Sequence, residues 1–337
     1  MKIAFYEIAN WEADYIKQKL TGHELTFTES TFNDDSLPDN TADILSTFTS
    51  SPVTPKVLEA TPNLKLVATR TTGFDHINLE ACKQKGVVVS NVPSYGENTV
   101  AEFTFALLLS LSRKMYPGIK RVREQGLFNF EGLRGFDLKG KTIGVIGTGH
   151  IGTYVISIAH GFGMNIVAYD PRPNEDLAKQ FNYRYVSLDE LLAGSDVITL
   201  HVPYMPATHH LLNSENMKKI KPGAVLINTA RGGLVETAAM VEALKNKVLG
   251  GAAMDVLEEE GFIKDELDML TNGHPNEDQL KTALADHELM HMDNVLITPH
   301  TAFNTTEAIM RILDTTVKNI QSFIAGTPEN VVNPITK

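Results

Sequence analysis

TIGVIGTGHIGTYVISIAHGFGMNIVAYD, residues 142–170, carries all the parts of a strand–helix–strand nucleotide-binding unit. An apolar run at 143–146 predicts a strand, and Gly147, Gly149 and Gly152 follow it in G-x-G-x-x-G spacing. A helical pattern comes next, and a second apolar run at 165–169 ends on Asp170. Each glycine answers a separate need: Gly147 permits a tight turn, Gly149 lets backbone approach a pyrophosphate, and Gly152 allows close helix-to-strand packing. The free N–H groups at the helix start, around His150 and Ile151, suit phosphates. Asp170 lies 18 residues after Gly152, where a carboxylate accepts hydrogen bonds from an adenosine ribose. Such a glycine motif alone is often just a turn. With strand, helix and acid all in place, it predicts dinucleotide binding. Asp170 repels a 2′-phosphate and so favours NAD; Arg172 offsets part of that charge, which leaves NADP as the less favoured cofactor.

Outward from this unit the chain remains α/β. Residues 1–95 alternate predicted strands (3–6, 44–47, 64–68, 87–90) with helical stretches at 11–19 and 79–85. Thr99 and Glu102 form a T-x-x-E capping box that is expected to open a helix over 100–114. Its apolar surface runs nearly all round, so it is expected to be buried between domains. Residues 117–140 read as irregular. After Asp170 the pattern predicts helices at 188–192 and 235–245 and strands at 197–202, 224–228, 251–256 and 295–298. An amphipathic helix at 305–324 closes the series and returns to the first domain. Two doubly wound parallel-sheet domains with an active-site cleft between them are expected. The first comprises 1–98 plus 302–337 and binds substrate; the second, 99–301, binds the dinucleotide.

With 337 residues the chain is long enough for two sizeable cores. Its formal net charge of −11 argues against nucleic acid or an anionic membrane as partner. The single cysteine, Cys82, rules out an internal disulfide framework and fits a reducing cytoplasm. The opening MKIAFYEIANWE turns acidic too early for a secretory signal, and the apolar run at 105–111 is too short for a bilayer span. A soluble cytoplasmic protein is expected.

In an open parallel sheet, ligands lie beyond the carboxyl ends of the strands. The predicted strand AVLIN leads into Thr229, Ala230 and Arg231; GAAMDV ends near Asp255, with Glu260 shortly after; NVLIT leads to Pro299 and His300. Arginine, acid and histidine therefore converge on the edge that holds the dinucleotide. Arg231 can grip a carboxylate with two prongs and polarise a neighbouring carbonyl. His300 can give or take an alcohol proton. A Glu260 hydrogen-bonded to it would favour the imidazolium and fix its orientation. Two further histidine motifs carry less. HELMH at 287–291 fits H-E-x-x-H, but that signature needs a sustained helix and a third ligand, and the predicted strand at 295 leaves little room. No metal is expected. His209 and His210 read as a helix cap or a solvent-facing pair.

The chain resembles the NAD-dependent D-2-hydroxyacid dehydrogenases nearly end to end. The likeness is carried by RTTGFDHIN (70–78), NVPSYGENTVAEF (91–103), VIGTGHIG (145–152), DVITLHVPYMPATHHLLN (196–213), NTARGGLVE (228–236), AMDVLEEE (253–260) and ITPHTAF (297–303). The resemblance implies that Arg231, Glu260 and His300 are catalytic, and that Thr72 and Gly73 offer backbone N–H groups to a substrate carboxylate. It also implies that Asp255 lies at the nicotinamide carboxamide, that Val202 and Pro203 wall the nicotinamide ring, and that the chain forms a homodimer through the cofactor domain. Tyr95, Phe303 and the long segment between Glu260 and His300 point, within the family, to the D-lactate dehydrogenases. Phe48 is a candidate pocket wall. The family's aromatic from the partner subunit has two candidates here, Phe128 and Phe130. The expected reaction is reduction of pyruvate by NADH, with a larger or different 2-keto acid (2-ketoisocaproate, phenylpyruvate, glyoxylate or hydroxypyruvate) as the alternative. A non-enzymatic NAD-sensing protein is a remote one.

Overall fold

The computed structural model describes residues 1–258 and 277–334. The chain divides into two compact units, Met1–Gly96 with Asn304–Lys337, and Glu97–Phe303. In the first unit, β1 (Lys2–Phe5), α1 (Asn10–Lys19), β2 (Glu24–Phe27), β3 (Ile44–Thr47), α2 (Pro55–Ala60), β4 (Leu66–Thr69), α3 (Leu79–Lys85) and β5 (Val88–Ser90) follow in order. The five strands are all parallel and lie in the order β2-β1-β3-β4-β5. The second unit begins with helices α4 (Glu97–Ser112) and α5 (Met115–Gln125). Then come β6 (Thr142–Ile146), α6 (His150–Gly161), β7 (Asn165–Tyr169), α7 (Glu175–Gln180), β8 (Arg184–Tyr185), α8 (Leu188–Gly194) and β9 (Val197–Leu200). It continues through β10 (Ala224–Asn228), α9 (Thr237–Lys245), β11 (Leu249–Met254), α10 (Glu277–Met290) and β12 (Val295–Ile297). Its seven-stranded parallel sheet runs β12-β11-β10-β9-β6-β7-β8.

Both orders are doubly wound. From β6 the chain winds outward to β8, then crosses back to β9 and winds the other way; the switch lies between β6 and β9. The first sheet switches between β1 and β3. Strands β3, β4, β9 and β10 are buried at every residue, as parallel strands covered on both faces must be. The last helix, α11 (Thr306–Ile324), is capped by the Thr305 hydroxyl, which accepts from the Ala308 N–H at 3.2 Å. Its Leu313, Val317 and Ile320 share one core with Ile3, Phe5, Ile44 and Leu66 of the first sheet. No helix among the described residues is long and apolar enough to cross a membrane.

Local expectations fail in four places. Helix α4 starts at Glu97 rather than at a Thr99 cap: Thr99 is buried inside it, and Glu102 accepts instead from Asn98 Nδ2 at 3.1 Å. That helix belongs to the core of the second unit, where Ala101, Phe105 and Leu108 pack with Val145, Val155 and Ile227. Residues 117–140 are not irregular throughout, because α5 occupies the first third. Pro117 is tolerated there because it falls in the first turn, whose N–H groups have no acceptor within the helix. Helix α10 does run into HELMH, with the His287 and His291 rings 4.5 Å apart, and β12 still fits after it. No group of three metal-ligating side chains occurs among the described residues. The short elements β2, α2, α7 and β8 carry too few residues for a clear period.

Candidate active site

The glycine turn after β6 is built as its spacing demands. Gly147 has φ +93°, and a Cβ there would come within 2.7 Å of the His201 carbonyl oxygen and 2.8 Å of Val202. A Cβ on Gly152 would sit 2.0 Å from the Gly147 oxygen, so α6 can start this close to the turn only with glycine. Gly149, the residue capping α6, faces open space: nothing lies within 4 Å of its Cβ position. Bare backbone beside open space, at the start of a 12-residue helix led by His150 and Ile151, fits a dinucleotide pyrophosphate. Asp170, at the end of β7, accepts from the Thr148 N–H (2.8 Å) and hydroxyl (3.2 Å) on Oδ2 and from the Arg172 N–H (2.8 Å) on Oδ1. The carboxylate thus lies against the glycine turn. Val202 is half-buried on the turn, and Pro203 beside it is exposed.

Strands β10, β11 and β12 are neighbours, so their carboxyl ends place Arg231, Asp255 and His300 along one edge. The fully buried Asn228 shapes the arginine loop by donating to the Arg231 carbonyl (2.8 Å) and accepting from the Ala230 N–H (3.0 Å). Gly232 follows because a Cβ would sit 1.9 Å from the Leu257 oxygen. Thr229 hydrogen-bonds Thr104 of α4 at 2.9 Å. Asp255 is buried and well bonded: Oδ1 accepts from the Thr298 hydroxyl (2.5 Å) and Thr301 N–H (2.9 Å), and Oδ2 from the Ala302 N–H alone (2.8 Å), which leaves Oδ2 accepting capacity. Burial raises its pKa, and these three donors work against that rise. The bonds wrap the T-P-H-T-A turn around the carboxylate and hold His300 at φ +49°, in the left-handed region. The His300 N–H donates to the Asp255 carbonyl at 2.9 Å. Backbone strain at a candidate acid is a mark of a site held by its surroundings. Glu260 lies outside the described residues. Phe303 is half-buried just beyond the turn.

In the first unit the candidate residues again follow strand ends. Arg70, after β4, is buried and donates to the carbonyls of Tyr6 and Glu7 (both 2.7 Å) and to Ser46 Oγ (3.1 Å). Burial lowers its pKa to about 10, which leaves it charged at neutral pH. Its guanidinium lies 5.7 Å from the Phe48 ring. Glu7, at φ +54°, accepts from the N–H groups of Phe48 (3.2 Å) and Ser50 (2.8 Å). Thr72 and Gly73 form a loop pinned by Asn91 Nδ2 on the Thr72 carbonyl (2.8 Å) and by the Thr72 hydroxyl on the Val92 carbonyl (2.8 Å). Among the described residues their own N–H groups donate to no protein acceptor. The Tyr95 carbonyl accepts from Arg311 of α11.

Sequence reading missed Glu7 and Arg70, whose partners are distant in the chain, and Asn228, whose bonds to its own loop have no distinctive spacing. His210 is neither a cap nor a plain surface group. At φ +48° its Nε2 meets Glu258 Oε1 at 2.5 Å, and that carboxylate also takes the Thr237 N–H and hydroxyl. His201 is half-buried and kept neutral, its pKa lowered to about 3 by desolvation of the ring, with Nε2 on Thr199 at 2.8 Å. A cavity of about 730 Å³ opens at the opposite, amino ends of β6 and β7, among Thr142, His160, Asn165 and Tyr183, away from all of these groups.

A doubly wound sheet with this glycine turn, and with arginine, acid and histidine at three adjacent strand ends, defines a dinucleotide-binding protein of the dehydrogenase type. Residues 105–302 match the profile of the family described as "D-isomer specific 2-hydroxyacid dehydrogenase, NAD binding domain". The chain is 35% identical to the D-lactate dehydrogenase of Escherichia coli, over 97% of this chain and 98% of that one. It is 40% identical to the aromatic 2-oxoacid reductase of Clostridium sporogenes, over 79% and 78% of the two chains. The crystal structure of D-lactate dehydrogenase from Aquifex aeolicus, complexed with NAD and lactic acid, superposes with a TM-score of 0.87 at 35% identity, covering 99% and 100%. The chain belongs to the D-isomer specific 2-hydroxyacid dehydrogenase family.

Proposed function

We propose that this protein reduces a small 2-keto acid, pyruvate foremost, to the D-2-hydroxy acid. The observation that carries the reading is the convergence of Arg231, Asp255 and His300 on the sheet edge that also bears the open glycine turn. Bound NADH supplies a hydride to C2 of the keto acid. Gly147, Gly149 and the N–H groups at His150 and Ile151 hold its pyrophosphate, Asp170 its adenosine ribose, and Thr229, Val202, Pro203 and Asp255 its nicotinamide half. Arg231 grips the substrate carboxylate bidentately, and the N–H groups of Thr72 and Gly73 complete that grip. His300 gives a proton to the carbonyl oxygen as the alcohol forms, with Glu260 as its catalytic partner. Phe48, Tyr95 and Phe303 bound the substrate side chain. Asp170 disfavours a 2′-phosphate, so NADH is preferred over NADPH.

Following NADH and NADPH oxidation over a panel of 2-keto acids tests the reading. Pyruvate with NADH should give the highest kcat/KM. Turnover of no 2-keto acid would overturn the enzyme reading and, where NADH still binds, leave an NAD-sensing protein. Preference for phenylpyruvate or 2-ketoisocaproate would support a second reading, favoured by the 40% identity to an aromatic 2-oxoacid reductase.

The active form is a homodimer through the second unit, working in the cytoplasm. Helix α5 buries none of its residues; Met115, Tyr116, Ile119 and Val122 stay about half exposed, and Phe128 and Phe130 beyond it are 95% and 88% exposed. So much clustered apolar surface is rarely left to water. Ile119→Asp should convert a dimer to a monomer in light scattering after gel filtration; a wild-type monomer would reject the assembly.

A further inference from the structure

A file of hydroxyl groups runs from β8 to the candidate ribose-binding carboxylate. Tyr183 Oη lies 2.9 Å from Tyr185 Oη, which lies 2.9 Å from Thr148 Oγ1, which lies 3.2 Å from Asp170 Oδ2. Its direction is forced. An ionised carboxylate only accepts, so Thr148 donates to Asp170 and must receive from Tyr185. The Asn174 N–H only donates, and it points at Tyr185 Oη from 2.9 Å. Tyr185 thus spends its one proton on Thr148 and accepts from Asn174 and Tyr183. Tyr183 is 9% exposed. Burial holds its phenol well above the ordinary range, so it stays protonated and remains a donor. At the far end, Oδ2 of Asp170 is filled by two Thr148 donors, while Oδ1 holds only the Arg172 N–H and keeps accepting capacity.

We propose that Tyr183, Tyr185 and Thr148 form a positioning relay that locks the Asp170 carboxylate with Oδ1 presented to the adenosine ribose, and so sets how tightly NADH binds and how strongly NADPH is refused. The relay rests on the ribose-binding role given to Asp170 above. Without it, the carboxyl group keeps the Thr148 and Arg172 backbone donors but can turn between them, and a network loses more than one contact when a middle member goes.

Tyr185→Phe removes the hydroxyl and keeps the ring that packs against Tyr183 at 5.4 Å. Its Kd for NADH (fluorescence titration) and for ADP-ribose (calorimetry) should rise about fivefold, the size of one lost hydrogen bond between neutral hydroxyls. The Kd for NADPH should change less than about twofold, so discrimination between the two coenzymes narrows. Reduced nicotinamide mononucleotide, which lacks the adenosine half, should bind both proteins alike, and kcat at saturating NADH should hold. Thr148→Val should repeat the effect and Thr148→Ser should restore binding. Equal weakening toward the mononucleotide would reduce the tyrosines to scaffolding and overturn the relay, as would unchanged NADH and ADP-ribose binding in Tyr185→Phe. Asp170→Asn separates the layers: if it weakens ADP-ribose while Tyr185→Phe does not, only the relay falls. If Asp170→Asn also leaves ADP-ribose binding intact, the ribose role falls with it. A wild-type protein that binds no NADH removes both.

Discussion

At the scale of single residues, His300 and Arg231 carry the sharpest expectations. His300 occupies the left-handed region at φ +49°, where asparagine is better tolerated than alanine. His300→Asn should therefore fold normally, keep its NADH Kd, and lose about 10²- to 10⁴-fold in kcat, the span of general acid catalysis. Near-normal turnover would exclude His300 as the acid. Arg231→Lys keeps the charge but not the fork, so kcat/KM for pyruvate should drop about 100-fold, most of it through KM. An unchanged KM would count against carboxylate recognition. Glu7 belongs here too: Glu7→Ala removes the carboxylate that accepts from the Phe48 and Ser50 N–H groups. If Phe48 bounds the side-chain pocket, that variant should gain on bulky 2-keto acids relative to pyruvate, and identical ratios would dismiss the idea.

Elements show which part of the glycine motif serves the fold and which serves the ligand. Gly152 has a carbonyl oxygen 2.0 Å from where its Cβ would go, and Gly149 has open space. Gly152→Ala should lower Tm by several degrees and impair everything downstream. Gly149→Ala should melt like the wild type yet bind NADH poorly, since its methyl group occupies the approach of the pyrophosphate. Equal melting losses in the two variants would refute the division. The motif, its flanking strands and the amphipathic α11 were legible because each has a period or spacing of its own. Helix α5 was hidden by Pro117 and Gly118, which break helices in the interior but not in a first turn. The false cap at Thr99 shows the converse error, a local signal overruled in a helix that begins three residues further back and buries Thr99 within it.

For the whole molecule, acid response follows from where the low-pKa carboxylates sit. Asp39 is lowered to about 2 by hydrogen bonds from Thr41 and Lys2, and Lys65 and Lys19 lower Asp43 and Asp314. All three belong to the first unit; among the described residues of the second only Asp196 is lowered, burial there being outweighed by Lys221, the Thr142 N–H and Lys141. A carboxylate depressed in the folded state stabilises it above the unfolded pKa, near 3.8, and that support is lost as pH falls toward 2. Acid unfolding should therefore begin in the first unit between about pH 4 and 2. Hydrogen exchange at stepped pH should show its amides exposed before those of the seven-stranded sheet, with Asp39→Asn flattening the response; the reverse order would contradict the assignment.

Short-range spacing and hydrophobic period are enough to read the parallel α/β class, the dinucleotide turn and the strand ends from which Arg231 and His300 emerge. Long-range packing alone sets β10, β11 and β12 side by side and turns Asp255 toward the backbone of the His300 turn. It alone joined Glu7 to Phe48 across 41 residues and Thr148 to Tyr185 across 37. Such pairings depend on strand order and burial, which bring together polar groups that no local pattern relates.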